Sequence, residues 1–280
     1  MAGNIINTTY PDILRKAGVH QTTASLPWLG PKLVHRITTA TGATSTYVQR
    51  HGAKLKSFEI HNRAGSTINV GIGFRYANHI WKVGRYDGTT YTDITTNAQG
   101  RTAVAIQVTG ADQTGMVILS QEKFDWVSAD ITTAETNAGG ATTVDHVLRY
   151  SDPGGDSWIT LAAASTYVDG WSTTDAVWGT GAKNFVWAAP SDWEKNVSNT
   201  GLPDGYYALH FQSAQREASD VAAVITGIEI GSMYAIDSLP DNSVWSEGNA
   251  NYSSPYGDAL VAFFGTAAAG NRVIAEVESA

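Results

Sequence analysis

From Ile68 to Tyr76 apolar side chains occupy every second position, Ile68, Val70, Ile72, Phe74 and Tyr76, with Asn69, Gly71, Gly73 and Arg75 between them. A period of two places the two sets on opposite faces of a pleated strand, so this stretch predicts a strand with one buried face. Similar short runs surround it: Leu55 to His61, Ile80 to Tyr86, Ala103 to Val108 and Met116 to Ser120, separated by turn residues such as Asn62 to Ser66 and Asp87-Gly88. No 3.6-residue periodicity extends over ten positions here, so no helix is expected.

A second series of strands follows: His146 to Tyr150, Trp158 to Leu161, Asn184 to Trp187, Tyr206 to Gln212, Val224 to Ile230, Ser232 to Ile236, Leu260 to Phe264 and Arg272 to Val277. Between the two series, Lys123 to Thr143 is poor in bulky aliphatics and rich in Thr, Ala and Gly, which marks it as a boundary. Abundant Thr beside β-branched and aromatic residues fits strands with one wet face. The expected fold class is therefore all-β. It comprises an N-terminal arm over residues 1–46, a first β-sandwich domain over 47–135 and a second over 136–280, each jelly-roll or immunoglobulin-like.

The arm should carry one short helix, opened near Pro11, with Ile13 and Leu14 as its apolar side and Gly18 as its stop. After it, Pro27, Gly30 and Pro31 break regular structure around Trp28, a large aromatic free to seek a partner surface or its own domain. The spacing from Ser191 to Glu194 is that of a capping box, which leaves two readings for Pro190 to Glu194: a short helix whose Trp193 plugs the end of a sandwich, or a tight loop.

Composition narrows the function. The 280 residues include no cysteine, which removes disulfides and thiolate chemistry. Eighteen basic against 26 acidic residues give a formal net charge of -8, which repels a phosphate backbone, so no nucleic-acid partner is expected. Met1 to Tyr10 lacks a basic segment followed by an apolar one, and no window approaches ~18 uninterrupted apolar residues, so neither a leader nor membrane insertion is expected.

Catalytic motifs are hard to find. There is no Gly-x-Ser-x-Gly elbow, and the seven histidines, at 20, 35, 51, 61, 79, 146 and 210, show no metal-binding spacing. No catalytic residue, metal site or cofactor is expected. Asp152 and Asp156 bracket a turn rather than a calcium loop. Asp169, Asp175, Asp192 and Glu194 lie close in sequence to Trp171, Trp178, Trp187 and Trp193, the raw material of a glycosidase cleft, though turns of an aromatic-rich sandwich look the same. Two loops could present aromatic planes to a sugar or to a protein: residues 169–181 with Trp171 and Trp178, and residues 240–258 with Trp245, Tyr252 and Tyr256 beside Asn242, Asn249 and Asn251. With Trp28, these five aromatics are the candidate contact residues.

An ordered series, Arg149-Tyr150, Gly155-Asp156-Ser157-Trp158, Asp169, Gly181, Val186-Trp187, Pro190-Ser191-Asp192-Trp193 and Gly205-Tyr206-Tyr207-Ala208-Leu209, resembles a β-sandwich module that recurs in tailed-phage virion proteins and other prokaryotic surface proteins. The resemblance spans roughly Val144 to Ser213 and is most specific from Trp187 to Trp193. It departs at the end, where His210 stands in place of an arginine. It implies a bacteriophage virion structural protein without an active site. Its expected location is the virion, most simply as a homo-oligomeric capsid decoration subunit bound to other virion proteins. The alternative is an adhesion protein, such as part of a tail fibre, bound to host-surface glycan, and a polysaccharide-degrading enzyme is a third reading.

Overall fold

The computed structural model describes residues 20–24, 33–38, 45–49, 54–108, 114–135, 146–152, 154, 157–161, 166–168, 179–197, 201–213, 221–254, 256–265, 268 and 270–278. They are organised almost wholly as antiparallel strands, numbered below in chain order. The chain divides into two compact units. Unit 1 joins residues 1–77 to 232–280, and unit 2 is the continuous stretch 78–231.

In unit 1, one sheet has the order β1 (His20–Ala24), β2 (Leu33–Thr38), β20 (Arg272–Glu278), β4 (Lys54–His61) and β17 (Val244–Glu247), with β18 (Tyr252–Ser253) also paired to β4. The other holds β5 (Ile68–Tyr76), β19 (Gly257–Phe264), β3 (Ser45–Gln49) and the part of β16 (Val224–Leu239) that lies beyond Gly231. The alternation read from the sequence sends Ile68, Val70, Ile72 and Phe74 into one apolar cluster with Leu55, Phe58 and Ile60 of β4, Leu260 and Phe264 of β19, and Val273 of β20. Each such side chain contributes about 1.5–3 kcal/mol when fully buried. Gly73 has a specific reason to be glycine: a Cβ there would collide with the Ser232 carbonyl and Met233 Cα of β16.

In unit 2, the first sheet runs β12 (Trp158–Thr160), β11 (His146–Ser151), β15 (Tyr207–Ser213), β9 (Thr114–Ser120), β6 (Trp81–Tyr86) and β7 (Tyr91–Asp93). The second runs β13 (Thr166–Val168), β14 (Gly181–Trp187), β10 (Trp126–Thr133) and β16 up to Gly231, with β8 (Val104–Ala105) added to β16. Central β9 is buried along its whole length. Phe185 of β14 meets Phe211 of β15 edge to face at 5.2 Å, tying the two sheets to one core. Among the described residues of this unit, the α-helix α1 (Thr95–Gln99) is five residues long. Among the described residues no helix is long and apolar enough to cross a membrane.

Several expectations need correction. A boundary near residue 136 between domains 47–135 and 136–280 does not match the contacts, because β19 and β20 return from the far end of the chain to pair with β5 and β4. Nor is 1–46 only an arm: β1 pairs with β2, and β2 with β20. The expected helix at Pro11 to Gly18 lies outside the described residues. The stretch Lys123 to Thr143, read as a boundary, holds β10 between β14 and β16 with Trp126, Val127, Ala129 and Ile131 buried, while residues 136–143 lie outside the described residues. Its small and polar residues concealed a strand that burial on a central position stabilises. The expected strands at Val224 and Ser232 are one long strand, β16, and the loop at 240–258 contains β17 and β18.

Candidate functional site

The aromatic candidates separate once they are placed. Trp28, Trp171 and Trp178 lie outside the described residues. Trp245 stands opposite Ile60 in the β17–β4 register, and its half-buried ring meets Phe58 edge on at 4.8 Å. Tyr252 lies 5.5 Å from Phe74 and 5.0 Å from Tyr234, and its hydroxyl shares a 2.8 Å hydrogen bond with Ser232 Oγ. Both rings therefore pack on the core of unit 1 instead of standing free. Tyr256 is exposed, its ring centroid 6.4 Å from that of Tyr76 in an edge-to-face arrangement. Asn242 and Asn251 occupy left-handed backbone, φ +59° and +48°, a conformation that Asn tolerates better than most residues.

The groove beside these rings follows from the pleat of β4. Phe58 and Ile60 point into the core, so Ser57 and Glu59 belong to the opposite face. Register then sets Ile274 and Ser246 on either side of Glu59, and Glu276 beside Ser57. With Glu247 these residues line a cavity of about 510 Å³. Ser57 Oγ donates to Glu276 Oε2 at 3.0 Å, His61 Nε2 lies 3.3 Å from Glu59 Oε2, and the Tyr234 hydroxyl donates to Glu247 Oε1 at 2.5 Å. That last bond, reinforced by burial and the Glu247 charge, raises Tyr234 above the ordinary phenol range. The arrangement can accept hydrogen bonds from a hydroxyl-rich or cationic group. Among the described residues no cluster of three or more His, Cys, Asp or Glu could hold a metal ion. The groove was hidden in the sequence because its three strands come from opposite ends of the chain.

In unit 2 the residues that carry the resemblance converge. Pro190 to Glu194 forms a turn, in which the Trp193 amide donates to the Pro190 carbonyl at 3.3 Å. The Trp193 ring is 1% exposed and packs 5.2 Å from Phe124, 5.7 Å from Tyr207 and 6.3 Å from Tyr150. Its Nε1 donates to Ser151 Oγ at 3.1 Å, and the Ala208 amide donates to the same oxygen at 3.3 Å. Trp187 also meets Phe124, edge to face at 5.4 Å. Lys123 and Lys195 place their Nζ atoms 5.7 and 5.3 Å from the Tyr207 ring.

The remaining acidic candidates serve turns and edges. Asp152 accepts from the Ser157 amide and hydroxyl, closing the β11–β12 turn. Asp192 is exposed and accepts from the Tyr150 hydroxyl at 3.2 Å; Glu194 is exposed too. Asp156, Asp169 and Asp175 lie outside the described residues. Comparison with protein-family models, curated proteins and solved structures finds no match to this chain.

Proposed function

We propose that the protein is a virion structural protein, a capsid decoration or accessory subunit that binds and stabilises the particle surface. Each compact unit is read as a β-sandwich, two sheets closing on one apolar core. The observation that carries the reading is the use made of the residues behind the resemblance: Trp187, Trp193, Tyr150 and Tyr207 fill and fasten unit 2. A protein that acts by holding its shape on a repeating surface needs aromatic residues as internal fillers. Its partners are neighbouring virion proteins and further copies of itself, and an acidic surface keeps it away from packaged nucleic acid.

Immunogold electron microscopy of purified tailed-phage particles, with an antibody raised against this chain, tests the proposal. Regular labelling of the head is expected, and particles with no label overturn it. Label confined to tail fibres favours glycan adhesion, a reading supported by the exposure of Tyr256, Asn249 and Asn251 in the same stretch of sequence. In that case binding on a glycan array should be saturable and weakened in Tyr256→Ala.

A further inference from the structure

We propose that His210 makes unit 2 acid-labile: a proton taken up by its buried ring opens the sheet formed by β11, β15 and β9. This inference is independent of the virion reading. His210 sits on β15, directly opposite Arg149 of β11 on one side and Val117 of β9 on the other, so the three side chains share one face of the sheet. The residue is 2% exposed. Tyr86 meets its ring edge on at 5.3 Å and Trp158 lies at 5.2 Å. Its Nε2 has no hydrogen-bond partner among the described residues, and neither has the buried Nε of Arg149.

Among the described residues, a cation at this position has no buried carboxylate on its face of the sheet to neutralise it. From β11 it faces the permanent charge of Arg149. From β9 it faces Val117, and from β12 Trp158 and Thr160, none of which ionises. On β6 the ionisable side chains of this face are Tyr86 and Lys82, and Lys82 Nζ lies 5.4 Å from the ring of Tyr206, the residue just before β15. On β7 they are Tyr91 and Asp93. Tyr91 lies across Gly84, where a Cβ would collide with its ring, and burial and the Asp93 charge hold its hydroxyl above the ordinary phenol range. Asp93 is exposed and accepts from the Thr95 amide at 2.8 Å. Asp87, at the β6–β7 turn, accepts from the amides of Thr89 and Thr90, while Asp204, in the turn that precedes β15, is exposed. Burial, and then the Arg149 charge, push the His210 pKa down to about 3 from an ordinary 6.5.

The sign follows from linkage. The folded state binds the proton less well than the unfolded one, so the His210 contribution is intact above pH 6.5 and falls as the pH drops from there towards 3. At pH 5 the group alone should raise the unfolding equilibrium constant by about thirtyfold.

The test is urea unfolding of the full chain and of His210→Phe at pH 7.5 and pH 5.0. Phenylalanine keeps a ring between Tyr86 and Trp158 but cannot be protonated. The unfolding equilibrium constant of the wild type is expected to rise about thirtyfold more than that of the variant over this interval, and an equal rise in both overturns the proposal. If His210→Phe does not fold, hydrogen exchange of the wild type, corrected for intrinsic rates, decides. Protection lost at pH 5.0 in β11 and β15 ahead of β5 and β19 supports it, and uniform loss refutes it.

Discussion

The outer face of β4 in unit 1 and the His210 face of β15 in unit 2 are both sheet faces bearing ionisable side chains, and they meet the cost of polar groups in opposite ways. Along the outer face of β4 the carboxylates lie near water: Ser57 donates to Glu276, and Glu59, 3.3 Å from His61 Nε2, has a side chain 47% exposed. Around His210 the face is sealed by Tyr86, Trp158 and Tyr91, and nitrogen atoms are left without partners among the described residues. A polar group facing solvent loses little when a partner is missing, whereas a sealed one bears its full desolvation cost. The first face therefore tolerates change, and the second ties stability to solution conditions.

Substitutions can break or sharpen that contrast. The largest effect is expected from Trp193→Ala, which empties the aromatic cluster of unit 2 and should cost about 3–5 kcal/mol by denaturant unfolding. A smaller loss would mean that the cluster collapses onto the gap and is not a rigid plug. Gly73→Val in unit 1 forces a side chain into the backbone of β16 and should cost about 3 kcal/mol, read as a lowered melting temperature. An unchanged melting temperature would show that β5 and β16 can separate freely.

Ser151→Ala removes one buried oxygen that accepts from both Trp193 Nε1 and the Ala208 amide, and should cost about 1–3 kcal/mol. Its effect should be comparable to a packing loss, although only one atom is removed. At the small end, Glu276→Gln in the groove should change stability by no more than about 0.5 kcal/mol, because the amide oxygen still accepts from Ser57 and the site is open. A shift of several kcal/mol there would erase the difference between the two faces.

Much of the fold could be read before any coordinates. The alternation at Ile68 to Tyr76 is β5, Leu55 to His61 is β4 with one more residue at its start, and Arg272 to Val277 is β20 with one more at its end. What escaped was structure whose stability is non-local. β10 is rich in small and polar residues and owes its strand character to β14 and β16 on its two sides. β17 is four residues long and pairs with β4, far back along the chain, so it looked like a loop. Among the candidate residues, the sequence marked Trp245 and Tyr252 as aromatic but held no sign that Phe58, Phe74 and Tyr234 would meet them. It likewise placed a histidine at 210 without revealing Arg149 opposite.

The chain by itself determined that it would form strands, because a two-residue hydrophobic period has no helical solution, and it determined its negative charge and lack of thiol chemistry. The tertiary structure decided which strands share a sheet, that residues 1–77 and 232–280 belong to one unit and 78–231 to another, and which polar side chains are sealed. Pairing partners hundreds of residues apart leave no local signature, because the free energy that selects them comes from burying two faces at once.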